Sequence, residues 1–215
     1  MALNTQIAEL RKEYKHQALS EKEADSNAIK QFEKWWSEAI KSQVDEANAM
    51  TLATCNTSGY PSARIVLLKS FNEEGFIFFT NYESRKGLEL QENPHACLVF
   101  FWRELERQVR IEGVVKKISE LESDEYFSLR PQESRLSAWS SPQSKVIKAR
   151  DLLEKNMAHY QEVFANGHIP RPEYWGGYIV KPLVIEFWQG RPGRLHDRLQ
   201  YTATEKDWQI DRLAP

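Results

Sequence analysis

Apolar and polar positions recur along this chain with two different periods, and the places where the period changes divide it into elements. Leu3, Ile7 and Leu10 stand at helical spacing and a polar run from His16 to Asn27 follows, which predicts a loosely attached helical arm over residues 1–27. From Ala28 to Ser42 the spacing is helical again, with Ile29, Phe32, Trp36 and Ile40 forming one core-facing stripe. Between Met50 and Ile118 the period falls towards two. The runs Met50–Thr54, Ala63–Lys69, Phe76–Thr80, His95–Trp102 and Gln108–Ile118 predict consecutive antiparallel strands, with Asn56-Thr57-Ser58-Gly59 and Gly75 at turns. Helix formers from Ser84 to Asn93 interrupt this series before Pro94 stops them.

Ser119-Glu120-Leu121-Glu122 is a capping-box pattern and predicts a helix reaching about Arg130, where Pro131 ends it. After Pro142, the residues Val146, Ala149, Leu152, Leu153, Met157, Tyr160 and Phe164 predict another helix, with Gly167 as its C-cap. The chain then returns to strands at Trp175–Val180, Val184–Gln189, Leu199–Thr204 and Trp208–Asp211. Many short strands with a few helices predict a mainly β fold with flanking helices, an antiparallel barrel or α+β arrangement, formed by a single domain over residues 28–215. No internal repeat is visible.

At 215 residues the chain is long enough for a substantial core, and its net charge of −2 argues against binding nucleic acid through bulk electrostatics. An anion site must therefore be local. Cys55 and Cys97 lie in apolar strand-like runs without CxxC spacing and read as buried, reduced thiols. No basic leader followed by an apolar stretch opens the chain, and no apolar run is long enough to span a membrane, so a cytoplasmic protein is expected. The five histidines are scattered without ligand spacing, which predicts no metal site. GxGxxG, GxxxxGK, GxSxG and HExxH are all absent.

Five local clusters could still carry chemistry. Arg85 and Lys86 follow Asn81 and Ser84 into the first turn of a predicted helix, where the macrodipole disfavours cations unless an anion is bound; the bland alternative is a solvated basic turn. Arg64 and Lys69 flank Ile65, Val66, Leu67 and Leu68, a run predicted to be buried on both faces. Strict alternation puts the two cations on opposite faces, so they need a bulge, a strong twist or two distinct contacts, and ordinary salt bridging competes with any ligand role. Tyr126 and Arg130 share a helical face with Ser134 just beyond, and this trio suits a phosphate as well as a surface pair. Gln143 and Ser144 offer further donors at a helix start, and Arg194-Leu195-His196-Asp197-Arg198 sets two guanidiniums, an imidazole and a carboxylate between strands.

In their order these residues resemble the pyridoxine (pyridoxamine) 5′-phosphate oxidase family. The motifs that carry the likeness are Arg11-Lys12-Glu13-Tyr14, Arg64–Lys69, Phe79-Thr80-Asn81, Ser84-Arg85-Lys86, Glu106–Val109, Tyr126–Pro131, Trp175-Gly176-Gly177, Glu186–Gly190, Arg194–Arg198 and the terminal Asp211–Pro215. The resemblance implies an FMN-binding split β-barrel acting as a homodimer with the flavin at the subunit interface. It implies that FMN is held by Arg64, Ile65, Val66, Leu67, Leu68 and Lys69, by Phe79, Thr80, Arg85 and Lys86, and by Gln108, Gln143, Ser144, Trp188 and Arg198. Substrate would be held by Lys69, Tyr126, Arg130 and Ser134 around its phosphate, with Arg194, Leu195 and His196 at its ring, and covered by Arg11, Lys12, Glu13 and Tyr14. Arg194 and His196 would be the catalytic pair. The implied activity is oxidation of pyridoxine and pyridoxamine 5′-phosphates to pyridoxal 5′-phosphate by dioxygen. Phe79 and Lys12 depart from the family pattern, which often has Tyr at the first position and commonly Arg at the second. A flavin reductase sharing the FMN residues, and a pyridoxal phosphate carrier without turnover, are the rival readings.

Overall fold

The computed structural model describes residues 18–215, so the motif Arg11-Lys12-Glu13-Tyr14 and most of the expected arm lie outside the described residues. In chain order the elements are α1 (Ala28–Lys41), β1 (Ala49–Cys55), β2 (Pro61–Leu67), β3 (Ser70–Asn72), β4 (Gly75–Asn81), α2 (Arg85–Glu92), β5 (His95–Trp102), β6 (Arg107–Lys117), α3 (Glu120–Ser128), α4 (Gln132–Ser140), α5 (Asp151–Val163), β7 (Trp175–Gln189), β8 (Asp197–Ala203) and β9 (Trp208–Arg212). The fold is mainly β with flanking helices, as the periodicity predicts. Hydrogen bonds order the strands β2-β1-β5-β6-β7-β4-β3, with β8 joined to β7 and β9 to β8. The sequence neighbours β1 and β2, β3 and β4, and β8 and β9 pair antiparallel. Packing divides the chain into two compact units: the first comprises the residues up to Ala47, Val99–Ile111 and Leu183–Pro215, and the second Asn48–Leu98 and Glu112–Pro182.

In the first unit, α1 begins where the Asn27 side chain accepts the N–H groups of Ile29 and Lys30. Its buried residues Ala28, Ile29, Phe32, Trp35 and Ala39 recur every three or four positions. Ile40, expected in that stripe, is 53% exposed because it stands one residue, about 100°, past Ala39 around the helix. Aromatic rings fill the core: Phe32 lies 5.2 Å from Phe100 and 6.0 Å from Trp102, and Phe187 meets Trp35 and Tyr201 edge-on. Their polar tips are satisfied, since Trp102 Nε1–H donates to the Ala47 carbonyl and the Tyr201 hydroxyl to that of Asp25.

The second unit holds the hairpins β1–β2 and β3–β4 and helices α2 to α5. Met50, Leu52, Phe76, Phe78, Leu98 and Val180 are buried in it. The expectation that β2 is buried on both faces fails: Ser62, Arg64 and Val66 are half-buried while Ala63, Ile65 and Leu67 point outward, Ile65 being 64% exposed. Half-buried and exposed residues alternate along β2, so among the described residues only one of its faces is covered. Cys55 and Cys97 are free, and half-buried where full burial was expected.

The helical part departs further from expectation. α3 has the predicted capping box, Ser119 and Glu122 bonding each other's backbone, but stops at Ser128. Pro131 then serves as the N-cap of α4, a helix the sequence pattern did not reveal. α5 starts at Asp151, well after Pro142, and Val146 is fully exposed. Phe127, Leu136, Ile169 and Trp175 form the cluster that joins these helices to β7, with Trp139, Met157 and Tyr160 packed around it. The two strands expected between Trp175 and Gln189 are one, β7. Its pairing passes from β4, ending at Phe76↔Val180, to β8, beginning at Val184↔Thr202, and Pro182 sits between the two partners, where neither needs its N–H.

Candidate functional site

The basic turn before α2 is built around a buried carboxylate. Ser84 caps the helix: its hydroxyl accepts the Gly87 N–H and donates to the Asn81 carbonyl at 2.6 Å. A Cβ at Gly87 would stand 2.1 Å from the Tyr82 carbonyl oxygen, so the tight entry requires glycine. No acidic residue lies in the first turn, where Arg85 and Lys86 stand instead. One turn on, Glu89 is only 6% exposed. Its Oε1 accepts Arg85 Nε at 2.8 Å, and its Oε2 accepts the Ser62 and Thr54 hydroxyls and lies 3.4 Å from Arg64 Nη2. Burial pushes the Glu89 carboxyl up, but the hydrogen bonds from Ser62, Thr54 and Arg85 outweigh it and hold the pKa at about 2.

Lys86, 9% exposed, reaches the hydroxyls of Thr80 at 3.2 Å and Ser84 at 3.4 Å and the Gln143 amide oxygen at 3.5 Å. Burial first, and then the charge of Arg64, lower its pKa, while Glu89 opposes them. Arg64, Arg85 and Lys86 thus bring three cations together around one carboxylate, Glu89, and the excess positive charge sits at a helix start. That donor set is complementary to a phosphate.

Thr80 and Gln143 also line a pocket of about 620 Å³, together with Leu67, Lys69, Phe79, Tyr126, Arg130, Ser134 and Trp175. Lys86 therefore stands one hydrogen bond behind the pocket wall. The apolar side of the pocket is a stack: the Phe79 ring lies 3.8 Å from that of Tyr126 and 5.5 Å from that of Trp175. The Arg130 guanidinium lies 4.5 Å from the Trp175 ring centre and 5.4 Å from that of Phe127. Burial lowers the Arg130 pKa, and among the described residues its Nη1 has no hydrogen-bond partner. A buried guanidinium nitrogen without an acceptor, in a pocket with Lys69 and Ser134, is complementary to an anion.

In the first unit, β7 and β8 set Trp188 opposite Arg198. The connection between them turns through Gly193 and Arg194, both left-handed at φ 65° and 64°. For arginine that conformation is strained, by about 1–3 kcal/mol, and such strain gathers at functional loops. Arg194 and Leu195 are exposed. His196 lies 4.7 Å from the Trp188 ring, and its Nδ1 accepts the Arg191 N–H at 3.1 Å. Burial, then the nearby Arg194 charge, lower the His196 pKa. Arg198 is fixed by two hydrogen bonds to Glu186, at 2.8 and 3.1 Å, and Arg110 pairs with the same buried carboxylate. Gln108 is half-buried on β6.

Of the residues singled out in the sequence, one pocket gathers Leu67, Lys69, Phe79, Thr80, Tyr126, Arg130, Ser134 and Gln143. Arg85 and Ser144 line a neighbouring recess with Glu89. Arg64 and Lys69 make two distinct contacts, Arg64 with Glu89 and Lys69 at the pocket, because β2 ends at Leu67. Ile65 is exposed, Val66 half-buried and Leu68 buried, and none of them lines the pocket. Gln108, Trp188, Arg194, Leu195, His196 and Arg198 belong to the first unit. Sequence reasoning missed Glu89, whose signal was its i,i+4 spacing from Arg85, and Trp175 as the surface beneath Arg130.

Residues 36–164 match the family described as "Pyridoxamine 5'-phosphate oxidase", and residues 175–215 match the "Pyridoxine 5'-phosphate oxidase C-terminal dimerisation region". The chain is 58% identical over 210 residues to a pyridoxine/pyridoxamine 5′-phosphate oxidase of Trichormus variabilis, covering 97% of this chain and 98% of the relative. It is 55% identical over 210 residues to one of Bordetella pertussis, covering 97% and 99%. Among solved structures, PhzG of Burkholderia lata in complex with tetrahydrophenazine-1-carboxylic acid is 32% identical with a TM-score of 0.85, covering 92% of this chain and 98% of that one. A pyridoxamine 5′-phosphate oxidase-related, FMN-binding protein of Nostoc punctiforme shares the fold at 19% identity and a TM-score of 0.65, covering 84% and 97%. With the family matched over more than half of its length and full-length relatives above 50% identity, the chain belongs to the pyridoxamine 5′-phosphate oxidase family of oxidoreductases.

Proposed function

We propose that the chain oxidises pyridoxine 5′-phosphate and pyridoxamine 5′-phosphate at C4′ to pyridoxal 5′-phosphate, with FMN as cofactor and dioxygen as electron acceptor. The alcohol gives the aldehyde and hydrogen peroxide; the amine consumes water as well and releases ammonia. The observation that carries this reading is the presence, within one unit, of two cationic sites: Arg130 and Lys69 with Ser134 in one pocket, and the Arg64, Arg85 and Lys86 cluster at Glu89, whose Lys86 stands behind that pocket's Thr80. A phosphorylated cofactor and a phosphorylated substrate need two such sites. The first set fits the FMN phosphate, an acceptor-only dianion, because its cations outnumber its carboxylate.

Bound FMN would supply the hydride acceptor and the route of electrons to dioxygen. The chain's own residues bind and orient. In this reading Arg64 to Lys69, Phe79, Thr80, Arg85, Lys86, Gln108, Gln143, Ser144, Trp188 and Arg198 hold the flavin. Arg130, Tyr126, Ser134 and Lys69 clamp the vitamin phosphate, spending binding energy remote from the reacting carbon on orientation. Arg194, Leu195 and His196 place the pyridine ring, and Arg11, Lys12, Glu13 and Tyr14 cover it. Two copies form the working enzyme, a reading supported by the match of residues 175–215 to a dimerisation region. Among the described residues no helix is long and apolar enough to cross a membrane, and we place the enzyme in the cytoplasm.

The TM-score of 0.85 to PhzG in complex with tetrahydrophenazine-1-carboxylic acid favours one second reading, oxidation of an unphosphorylated ring compound that bears a carboxylate. An oxygen electrode separates the two. FMN-loaded enzyme should consume one dioxygen per pyridoxal 5′-phosphate formed, and removing the substrate phosphate should lower kcat/KM by about 10² or more. Equal turnover of pyridoxamine and its phosphate would refute the two-phosphate site.

A further inference from the structure

We infer that Asp197 is a positioning residue for His196, holding the loop between β7 and β8 so that the imidazole keeps its proton on Nε2. The inference rests on the reading of His196 as a substrate-contacting residue. Asp197 opens β8 with its side chain 18% exposed. Its Oδ1 accepts Arg212 Nη1 at 2.9 Å, and its Oδ2 accepts the Leu19 N–H at 3.1 Å and lies 3.5 Å from Arg191 Nε. Arg191 in turn gives its backbone N–H to His196 Nδ1 at 3.1 Å. A ring nitrogen that accepts a hydrogen bond carries no proton, so the neutral imidazole is left with Nε2–H as its donor. The chain of contacts therefore runs from a carboxylate engaged by Arg212, Leu19 and Arg191 to the choice of which histidine nitrogen can donate.

The tether has work to do because the loop is strained. Gly193 and Arg194 are both left-handed, and an untethered loop would relax that backbone and move the Arg191 N–H off the ring. Arg212 braces the carboxylate from β9. It bonds Glu21 through Nε and Nη2 at 2.7 and 2.8 Å and donates to the Leu19 carbonyl at 3.0 Å, so Leu19 is held at both of its backbone groups. The Trp188 ring, 4.7 Å from His196, limits the imidazole from another side. Groups that orient a metal-ligating histidine are worth about 10–100-fold in affinity or activity, and the lower end of that range is the scale expected for this less direct tether.

Long-range proton–nitrogen NMR of FMN-loaded enzyme labelled with ¹⁵N-histidine, with the His196 signals assigned from His196→Gln, reads the tautomer directly. The wild type should show Nε2–H with an acceptor Nδ1. Asp197→Asn should show a mixture of tautomers and a kcat/KM lower by about tenfold or more, with FMN affinity within about twofold, and Asp197→Glu should recover part of both. A loss of folding stability alone would move neither the tautomer nor the ratio of turnover to flavin affinity. If Asp197→Asn does not fold, Arg191→Gln keeps the backbone donor, removes the ion pair and should give the same change of tautomer. An unchanged tautomer in the folded variant overturns the role of Asp197. If the wild type turns over no B6 phosphate, the substrate reading fails, while the tautomer comparison still decides the positioning.

Discussion

Glu89 shows how one carboxylate can prepare a site for an anion. Buried beneath Arg64 and Arg85, it fixes both guanidiniums without cancelling their charge, since Lys86 adds a third cation whose hydrogen-bond partners, Thr80, Ser84 and Gln143, are all neutral. Glu89→Gln keeps the shape but not the charge, and should weaken FMN binding about tenfold in a fluorescence titration. The carboxyl's pKa, held at about 2 against an ordinary 4.5, has a second consequence. A folded-state pKa below the unfolded one stabilises the protein above the unfolded value, and the gain is lost as pH falls towards the folded value. The stability difference between wild type and Glu89→Gln should therefore be constant above about pH 5 and shrink between pH 4.5 and 2, as denaturant melts at each pH will show. At the other basic site, Arg130→Ala should raise KM for the phosphorylated substrate by about 30-fold or more while leaving the FMN titration unchanged. Arg194→Ala should instead depress turnover more than flavin retention, and an equal loss of flavin would remove Arg194 from the substrate.

The elements position these residues through a few backbone constraints. α2 can start where it does because Gly87 passes the Tyr82 carbonyl with no Cβ in the way; Gly87→Ala should displace that turn, lower FMN affinity and cost about 1–3 kcal/mol in an unfolding titration. Most strands, α1 and the capped starts of α2 and α3 were legible in the sequence, because each depends on local period and on a Ser or Asn cap beside it. What was not legible depended on distant neighbours. The apolar run Ile65 to Leu68 looks doubly buried, yet coverage of a strand face is decided by what the rest of the fold packs over it, and along β2 only alternate residues are covered. Pro131 reads as a terminator and is also the cap of α4, whose buried residues are only Leu136 and Ser140, too few to make a periodic stripe. Pro182 reads as a break between two strands, but it falls where β7 exchanges partners. At the site, residue types and spacing revealed the cations, whereas the buried acceptor Glu89 and the stacked Trp175 required the fold.

At the scale of the whole molecule, a chain with a net charge of −2 concentrates cations at two places in one unit and presents Arg194, His196 and Arg198 in the other. Local excess against an overall negative charge favours small phosphorylated ligands over polyanions, whose binding depends on an extended basic face. Family membership and the match to a dimerisation region support an oxidase working as a pair of chains. The most direct measurement of that account is anaerobic: FMN-loaded protein is mixed with pyridoxamine 5′-phosphate and the visible flavin absorbance is followed before and after air is admitted. The expected result is bleaching that air reverses, with none from unphosphorylated pyridoxamine. Firmly bound FMN that neither pyridoxamine 5′-phosphate nor pyridoxine 5′-phosphate bleaches would contradict it.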